Sequence, residues 1–181
     1  NGIPTMGGTL TDHQADYILG VHQSPGRTQS QLNNPKSVAF HGANIFVADD
    51  ANRRVMRFAI PTGDSPNATA VLGQTNYTNG AAEGGNGAVR RPRALMIVND
   101  RLYVGDYDLR RLMYFDLPLS NEFYQTAAGL YGHGQDYDLY EPYGTSELQE
   151  LYFWDAATDG KRIFGLDIIS GKIVITPLRE N

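Results

Sequence analysis

Residues 35–61 read PKSVAFHGANIFVADDANRRVMRFAIP, and residues 92–118 read PRALMIVNDRLYVGDYDLRRLMYFDLP. The two stretches align without a gap. Pro35, Val47, Asp49, Arg53, Arg54, Met56, Phe58 and Pro61 recur as Pro92, Val104, Asp106, Arg110, Arg111, Met113, Phe115 and Pro118, always 57 positions later (92 − 35). Most other pairs are conservative, Lys for Arg, Val or Ile for Leu, Phe for Tyr. Self-similarity at a period near fifty residues is the mark of a modular β architecture.

Within each unit the residues predict four short strands. In the first, residues 37–40 are an apolar run after Pro35, whose missing N–H does no harm at a strand start. Residues 44–48 follow a Gly42-Ala43 turn, residues 54–60 (RVMRFAI) make the third strand, and residues 68–72 the fourth, which ends at Gly73. The second unit predicts strands over 94–98, 102–105, 111–117 and 126–131. A third, worn copy begins at Pro142. There LYFWD (151–155) matches LYVGD (102–106), RIFGL (162–166) matches residues 111–115, and KIVIT (172–176) supplies a fourth strand. Upstream, ADYILG (15–20) reads as a fourth strand whose first three partners are missing. The expectation is one β domain over residues 1–181, with units at about 35–73, 92–132 and 142–177 and an orphan strand at about 15–20. Long loops follow each fourth strand, at 21–34, 74–91 and 132–141, and no helix of useful length is indicated.

Bulk properties narrow the function classes. The chain has 181 residues, enough for one domain with a substantial core. Its 20 Gly and 9 Pro beside 11 Tyr and 7 Phe suit many short strands joined by turns. A net charge of −5 with dispersed basic residues argues against a nucleic-acid partner, because neutralising phosphates takes clustered Lys and Arg. The run Arg90-Arg91-Pro92-Arg93 is the one dense basic patch, and it reads as a solvated turn. The absence of Cys removes disulfides, thiolate metal sites and haem attachment. No apolar run approaches the ~20 residues that span a bilayer as a helix. The chain opens on Asn rather than Met, which reads as a processed product or a fragment.

Four-stranded units of this length, with a Pro start and the turn V-A-D-x-x-N-x-R-V, resemble NHL repeats, the blades of a β-propeller. The residues that carry the likeness are Pro35, Val47, Ala48, Asp49, Asn52, Arg54 and Val55. In the second unit Pro92, Asp106 and Arg111 match while Leu109 replaces the Asn; the third keeps Pro142, Asp155 and Arg162. Segments like ADYILG and AVLGQTNYT recur in bacterial NHL proteins as a blade's outer strand and the loop after it. The resemblance implies an all-β fold of four-stranded propeller blades, about three plus one extra strand. Such propellers include lyases, RNA-binding modules and scaffolds, so it implies no single activity.

The repeated polar residues have a structural reading of their own. A short carboxylate at the end of an apolar strand, at Asp49, Asp106 and Asp155, can accept turn N–H groups. The Arg that follows, at Arg54, Arg111 and Arg162, can reach a carboxylate or carbonyls in a fork. Used as a substrate clamp these residues would have to converge, whereas residues repeated in every blade spread around a ring.

Other chemistry is thin. His13, His22, His41 and His133 are scattered without metal-ligand spacing, and they do not reproduce the inner-strand His set that holds zinc in NHL-type amidating lyases. His41 follows an inner strand and is read as a surface residue. Residues 132–138 (GHGQDYD) resemble a fragment of a calcium loop but lack its other acidic positions. No catalytic residue, metal site or cofactor is therefore assigned, with calcium and zinc as the ions weighed. Ser residues lack a nucleophile elbow, and Gly84-Gly85-Asn86-Gly87 opens no helix that could cradle phosphate. Asn67 and Asn76 head N-x-T sequons beside surface loops and are candidate glycosylation sites. Tyr124, Tyr131, Tyr137, Tyr140, Tyr143 and Tyr152 are read as blade packing or an interface.

Three blades with a spare strand fall short of the 4–8 that close a ring, and they leave edges that soluble proteins avoid. A longer propeller, two copies completing one ring, or strand addition into a filament would resolve this. The sequence thus points to an exported, extracellular or periplasmic, non-catalytic binding or assembly module. It forms a homo-oligomer or polymer, with a protein or glycan as ligand and neither nucleic acid nor a membrane span. The alternative is a fragment of an NHL-type metal-dependent lyase or hydrolase.

Overall fold

The computed structural model describes residues 17–21, 26–81, 84–120, 122–131 and 152–178. Eleven strands are formed there. β1 (Pro35–His41), β2 (Asn44–Asp49), β3 (Arg54–Ala59) and β4 (Ala70–Leu72) make one antiparallel sheet in the order β1-β2-β3-β4. β5 (Pro92–Val98), β6 (Arg101–Asp106), β7 (Arg111–Asp116) and β8 (Gly129–Tyr131) make a second in the same meander order. β9 (Phe153–Thr158), β10 (Arg162–Asp167) and β11 (Lys172–Pro177) make a third, three-stranded among the described residues. The protein is all-β, as the sequence predicts, with a single 3-10 turn among the described residues, at Asp50–Asn52.

Local chemistry fixes each register. The β1–β2 hairpin turns on Gly42, whose φ of 56° costs a glycine little. The β5–β6 hairpin turns on Asn99 and Asp100, φ 51° and 53°, the paired left-handed residues of a type I′ turn. Each sheet carries a bulge where its first strand meets the second, at Pro35/Ser37, Pro92/Ala94 and Leu166/Asp167. The residue before each third strand is left-handed: Arg53, Arg110 and Gly171, with φ of 57°, 49° and 68°.

These features set the phase of the third unit, and it differs from the sequence expectation. Phe153 pairs with Asp167 across a bulge, as Pro35 pairs with Asp49 and Pro92 with Asp106. The third sheet therefore runs at an offset of 118 from the first (167 − 49). β9 lies against β5 as β5 lies against β1, so it is a first strand, although the sequence match of LYFWD made it a second. Asp167 takes the place of Asp49 and Asp106, and Lys172 that of Arg54 and Arg111. Asp155 and Arg162 are thus not the repeat pair. An alternating apolar strand looks the same one strand along, and only the bulge and the left-handed residue fix the phase. Residues 142–151, where that unit was expected to begin, lie outside the described residues.

The sheets stack face to face, with the closest approach between their first strands. One face of the first sheet (Ala39, Phe46, Ala48, Val55, Leu72) packs on one face of the second (Leu95, Leu102, Val104, Met113, Phe115). The opposite face of the second (Met96, Tyr103, Leu112, Tyr114, Tyr131) packs on Phe153, Ala156, Ile163 and Val174 of the third. Gly105 has a reason to be glycine: a Cβ there would stand 2.8 Å from Phe153 Cβ and 2.9 Å from Ala94 Cβ.

Of the orphan strand, residues 15 and 16 lie outside the described residues, and residues 17–20 form no ladder. They still occupy a fourth-strand place. Leu19 packs on the first sheet's outer face, Ser65 N–H donates to the Ile18 carbonyl at 2.8 Å, and Gly20 repeats the φ of 88° found at Gly73 after β4. Ile18 and Ser65 hold the places of Val71 and Glu122 one unit on, where the bond runs the other way, from the Val71 N–H to the Glu122 carbonyl at 2.8 Å.

Candidate functional site

The repeated Asp and Arg are buried pins within the first two sheets, and in the third the Asp alone is buried. Asp49 Oδ1 accepts the Asn33 N–H at 2.7 Å, and Oδ2 accepts from Arg54 Nε at 2.7 Å and Asn52 Nδ2 at 2.9 Å. Arg54 also donates to the carbonyls of Thr28 (3.1 Å), Gln31 (2.8 Å), Arg27 (3.5 Å) and Tyr77. Burial pushes the Asp49 carboxyl above its ordinary value, against the downward pull of Asn52, Asn33 and Arg54. The second sheet repeats the wiring at the same offset. Asp106 accepts the N–H groups of Arg90 (2.8 Å) and Arg91 (3.0 Å), and Arg111 donates to the Ala88 carbonyl at 2.8 Å. Leu109, in the place of Asn52, offers only its backbone N–H to Asp106, at 3.3 Å. Asp167 caps the third turn, accepting from the N–H groups of Ile169 (3.0 Å) and Ser170 (3.2 Å) and from the Ser170 hydroxyl (2.7 Å). Each pin ties the loop before a first strand, or the turn after a second, to its own sheet, and the pins do not converge on one point.

Asp155 and Arg162 stand elsewhere. Asp155 is exposed on β9 and, among the described residues, accepts only its neighbour's N–H from Ala156, at 2.9 Å. Arg162 is exposed at the β9–β10 hairpin, donating to Asp159 Oδ2 at 2.9 and 2.6 Å; those bonds lower the Asp159 carboxyl to about 2.

The residues that join the sheets along one rim are different, and they follow a rule. Asp50, 1% exposed, accepts from Arg91 Nε at 3.1 Å and stands 3.6 Å from Arg93 Nη2. One unit on, Tyr107 occupies the place of Asp50, Tyr152 that of Arg91 and Trp154 that of Arg93. Tyr107 meets Tyr152 with ring centroids 5.3 Å apart and Trp154 at 6.2 Å. The position after the repeat Asp therefore reaches the same two positions of the next sheet in both joints. The first joint is ionic and the second aromatic. Arg93 links them: it is 8% exposed, its guanidinium carbon lies 4.5 Å from the Tyr107 centroid and 4.1 Å from that of Trp154, and its Nε and Nη1 have no hydrogen-bond partner among the described residues. The run expected to be a solvated turn is thus the inter-sheet seam. Its distant acidic partner and aromatic covers are invisible in a local reading.

His41 is half-buried, with Nε2 2.9 Å from Asp100 Oδ1 on the next sheet's hairpin. Asn67 and Asn76 are both exposed, and the Asn76 side chain accepts the Thr78 hydroxyl of its own sequon at 3.1 Å. Among the described residues no group of three or more His, Asp or Glu could hold a metal ion, and no helix is long and apolar enough to cross a membrane. His13, His22, His133, Pro142, the 132–138 loop and Tyr137, Tyr140 and Tyr143 lie outside the described residues.

The two outer sheets each present an apolar face. On the third sheet Leu166, Ile173 and Ile175 are 39%, 66% and 56% exposed, with Ile168 and Ile169 beside them in the turn. On the first, Val38 and Phe40 are 51% and 63% exposed, next to buried Ile45 and Val47 on the same face. Single exposed apolar side chains need no explanation; contiguous sets on both ends of a stack do.

Comparison with known proteins adds little. No protein-family model and no curated protein matches this chain. Among solved structures, the crystal structure of the computationally designed Ika4 protein is similar at a TM-score of 0.40 and 9% identity, over 88% of this chain and 100% of that one. A likeness of that size carries no argument.

Proposed function

We propose that the chain is a non-catalytic, exported binding and assembly module of NHL-type propeller blades that associates with further copies of itself. One observation carries this reading: apolar end faces stand exposed on both outer sheets, while the equivalent faces inside the stack are buried against a neighbour. The fanned stacking of meander sheets through their first strands supports blades arranged about an axis. The polar signature residues of the first two sheets are consumed in holding those sheets together, and the rim seam in joining neighbours, which leaves the end faces for recognition. Light scattering after gel filtration tests the reading. A molar mass above that of one chain at high concentration is expected, and a strictly monomeric species at every concentration would refute it.

A further inference from the structure

The internal joints state what an end face packs against. In every sheet one face donates and the other receives. Ala39, Phe46, Ala48 and Val55 of the first sheet donate, and their equivalents Met96, Tyr103, Gly105 and Leu112 of the second donate again. The next equivalents, at an offset of 61 from the second sheet (167 − 106), are Ala157, Phe164, Leu166 and Ile173. They form the outer face of the third sheet, which no described sheet covers. Leu95, Ile97, Leu102 and Val104 receive in the first joint, and their equivalents Val38, Phe40, Ile45 and Val47 form the outer face of the first sheet.

The strand count matches as well. The third sheet ends at β11, which pairs only with β10 among the described residues. The first sheet's receiving face already carries residues 17–20 where a preceding sheet's fourth strand lies, and Leu19 fills the pocket side that Leu72 fills one unit on. What one end lacks, the other end holds. Charge agrees: Asp155 replaces Ser37, whose hydroxyl accepts the Leu95 N–H across the first joint at 3.1 Å, and the residues it would meet are Val38 and the exposed Lys36.

Resting on the assembly reading above, we propose that two copies join head to tail. The third sheet of each packs on the first sheet of the other, and residues 17–20 of one copy complete the partner's third sheet beside β11. Two identical joints close a ring of six sheets, three from each copy, related by a two-fold axis. Closure leaves no open end, so the product is a discrete pair rather than a filament.

The rim rule gives a direct test. The residue after the repeat Asp meets the second residue of the next sheet's first strand, as Asp50 meets Arg93 and Tyr107 meets Trp154. Across the proposed joint those positions are Ile168 and Lys36, and the chain has no Cys to interfere. Mixing Lys36→Cys protein with Ile168→Cys protein under mild oxidation is expected to give a covalent dimer of the two, in at least tenfold excess over either variant oxidised alone. Phe40→Asp and Ile173→Asp, both at exposed positions, are each expected to yield a folded monomer, with the far-ultraviolet circular dichroism unchanged. A wild-type oligomer that survives both substitutions and gives no mixed disulfide overturns this joint while leaving assembly standing. An open-ended polymer overturns closure. A wild-type monomer overturns both.

Discussion

Arg54→Met tests the pin on which the first sheet depends. The substitution keeps most of the side-chain volume but deletes donors to Asp49 and to the carbonyls of Thr28, Gln31, Arg27 and Tyr77. Both members of the ion pair are fully buried, so among the described residues the Asp49 carboxylate is left with only the Asn33 N–H and Asn52. Removing one partner of a buried pair costs about 3–5 kcal/mol. For a chain of this size that is a fall of roughly 6–20 °C in Tm. The loss has a pH signature. Burial already raises Asp49 above its ordinary value, and without Arg54 it rises further. A carboxyl whose folded pKa lies above its unfolded value stabilises fully below the unfolded pKa, and that stability is lost as pH rises through the folded pKa. The deficit should therefore narrow as the solution is acidified from neutral. Adding Asp49→Asn to Arg54→Met should recover part of the loss, since no uncompensated charge remains. Urea denaturation at fixed protein concentration reads each quantity. A deficit below about 0.5 kcal/mol at neutral pH would place Arg54 among ordinary surface residues and refute the pin.

Three further outcomes follow from the packing and the phase of the repeats. Gly105→Ala drives a methyl into Phe153 and Ala94 and should cost ~1–3 kcal/mol by thermal denaturation, while the same change at Gly63, where a Cβ meets nothing within 4 Å, should not. Asp167→Ala should lose about 0.5–2 kcal/mol as the third turn loses its cap, and Asp155→Ala should stay within about 0.5 kcal/mol; equal effects would contradict the assigned phase. Asp159 should titrate at about 2 by carbon-detected NMR and return toward the ordinary carboxylate value in Arg162→Gln. Because its folded pKa is depressed, the stability it contributes is present above the unfolded value and is lost as pH falls toward about 2.

The fold was legible where local chemistry and pattern agree. Strands β1 to β8 follow from Pro starts, turn glycines and apolar alternation, and their repetition made four-stranded sheets the natural reading. The third sheet was misphased because Arg162 followed by apolar residues imitates Arg111, whereas the informative residues are Asp167 and the left-handed Gly171. The rim seam was missed for a related reason. Asp50, Arg93, Tyr107 and Trp154 form one network only after the sheets are stacked, and no local window holds more than one pair of them. Asp49, Arg54, Asp106 and Arg111 read as scaffolding from sequence for a local reason: a carboxylate at a strand end has backbone N–H groups to satisfy whatever else it does.

Hydrogen–deuterium exchange followed across a dilution series tests the working role of the end faces most directly. Peptides covering β11 and β1, at opposite ends of the stack, should be protected together and lose protection together on dilution or in Phe40→Asp, while β6 stays protected throughout. Exchange at β11 that is fast and indifferent to concentration, with β1 equally unaffected, would contradict the account.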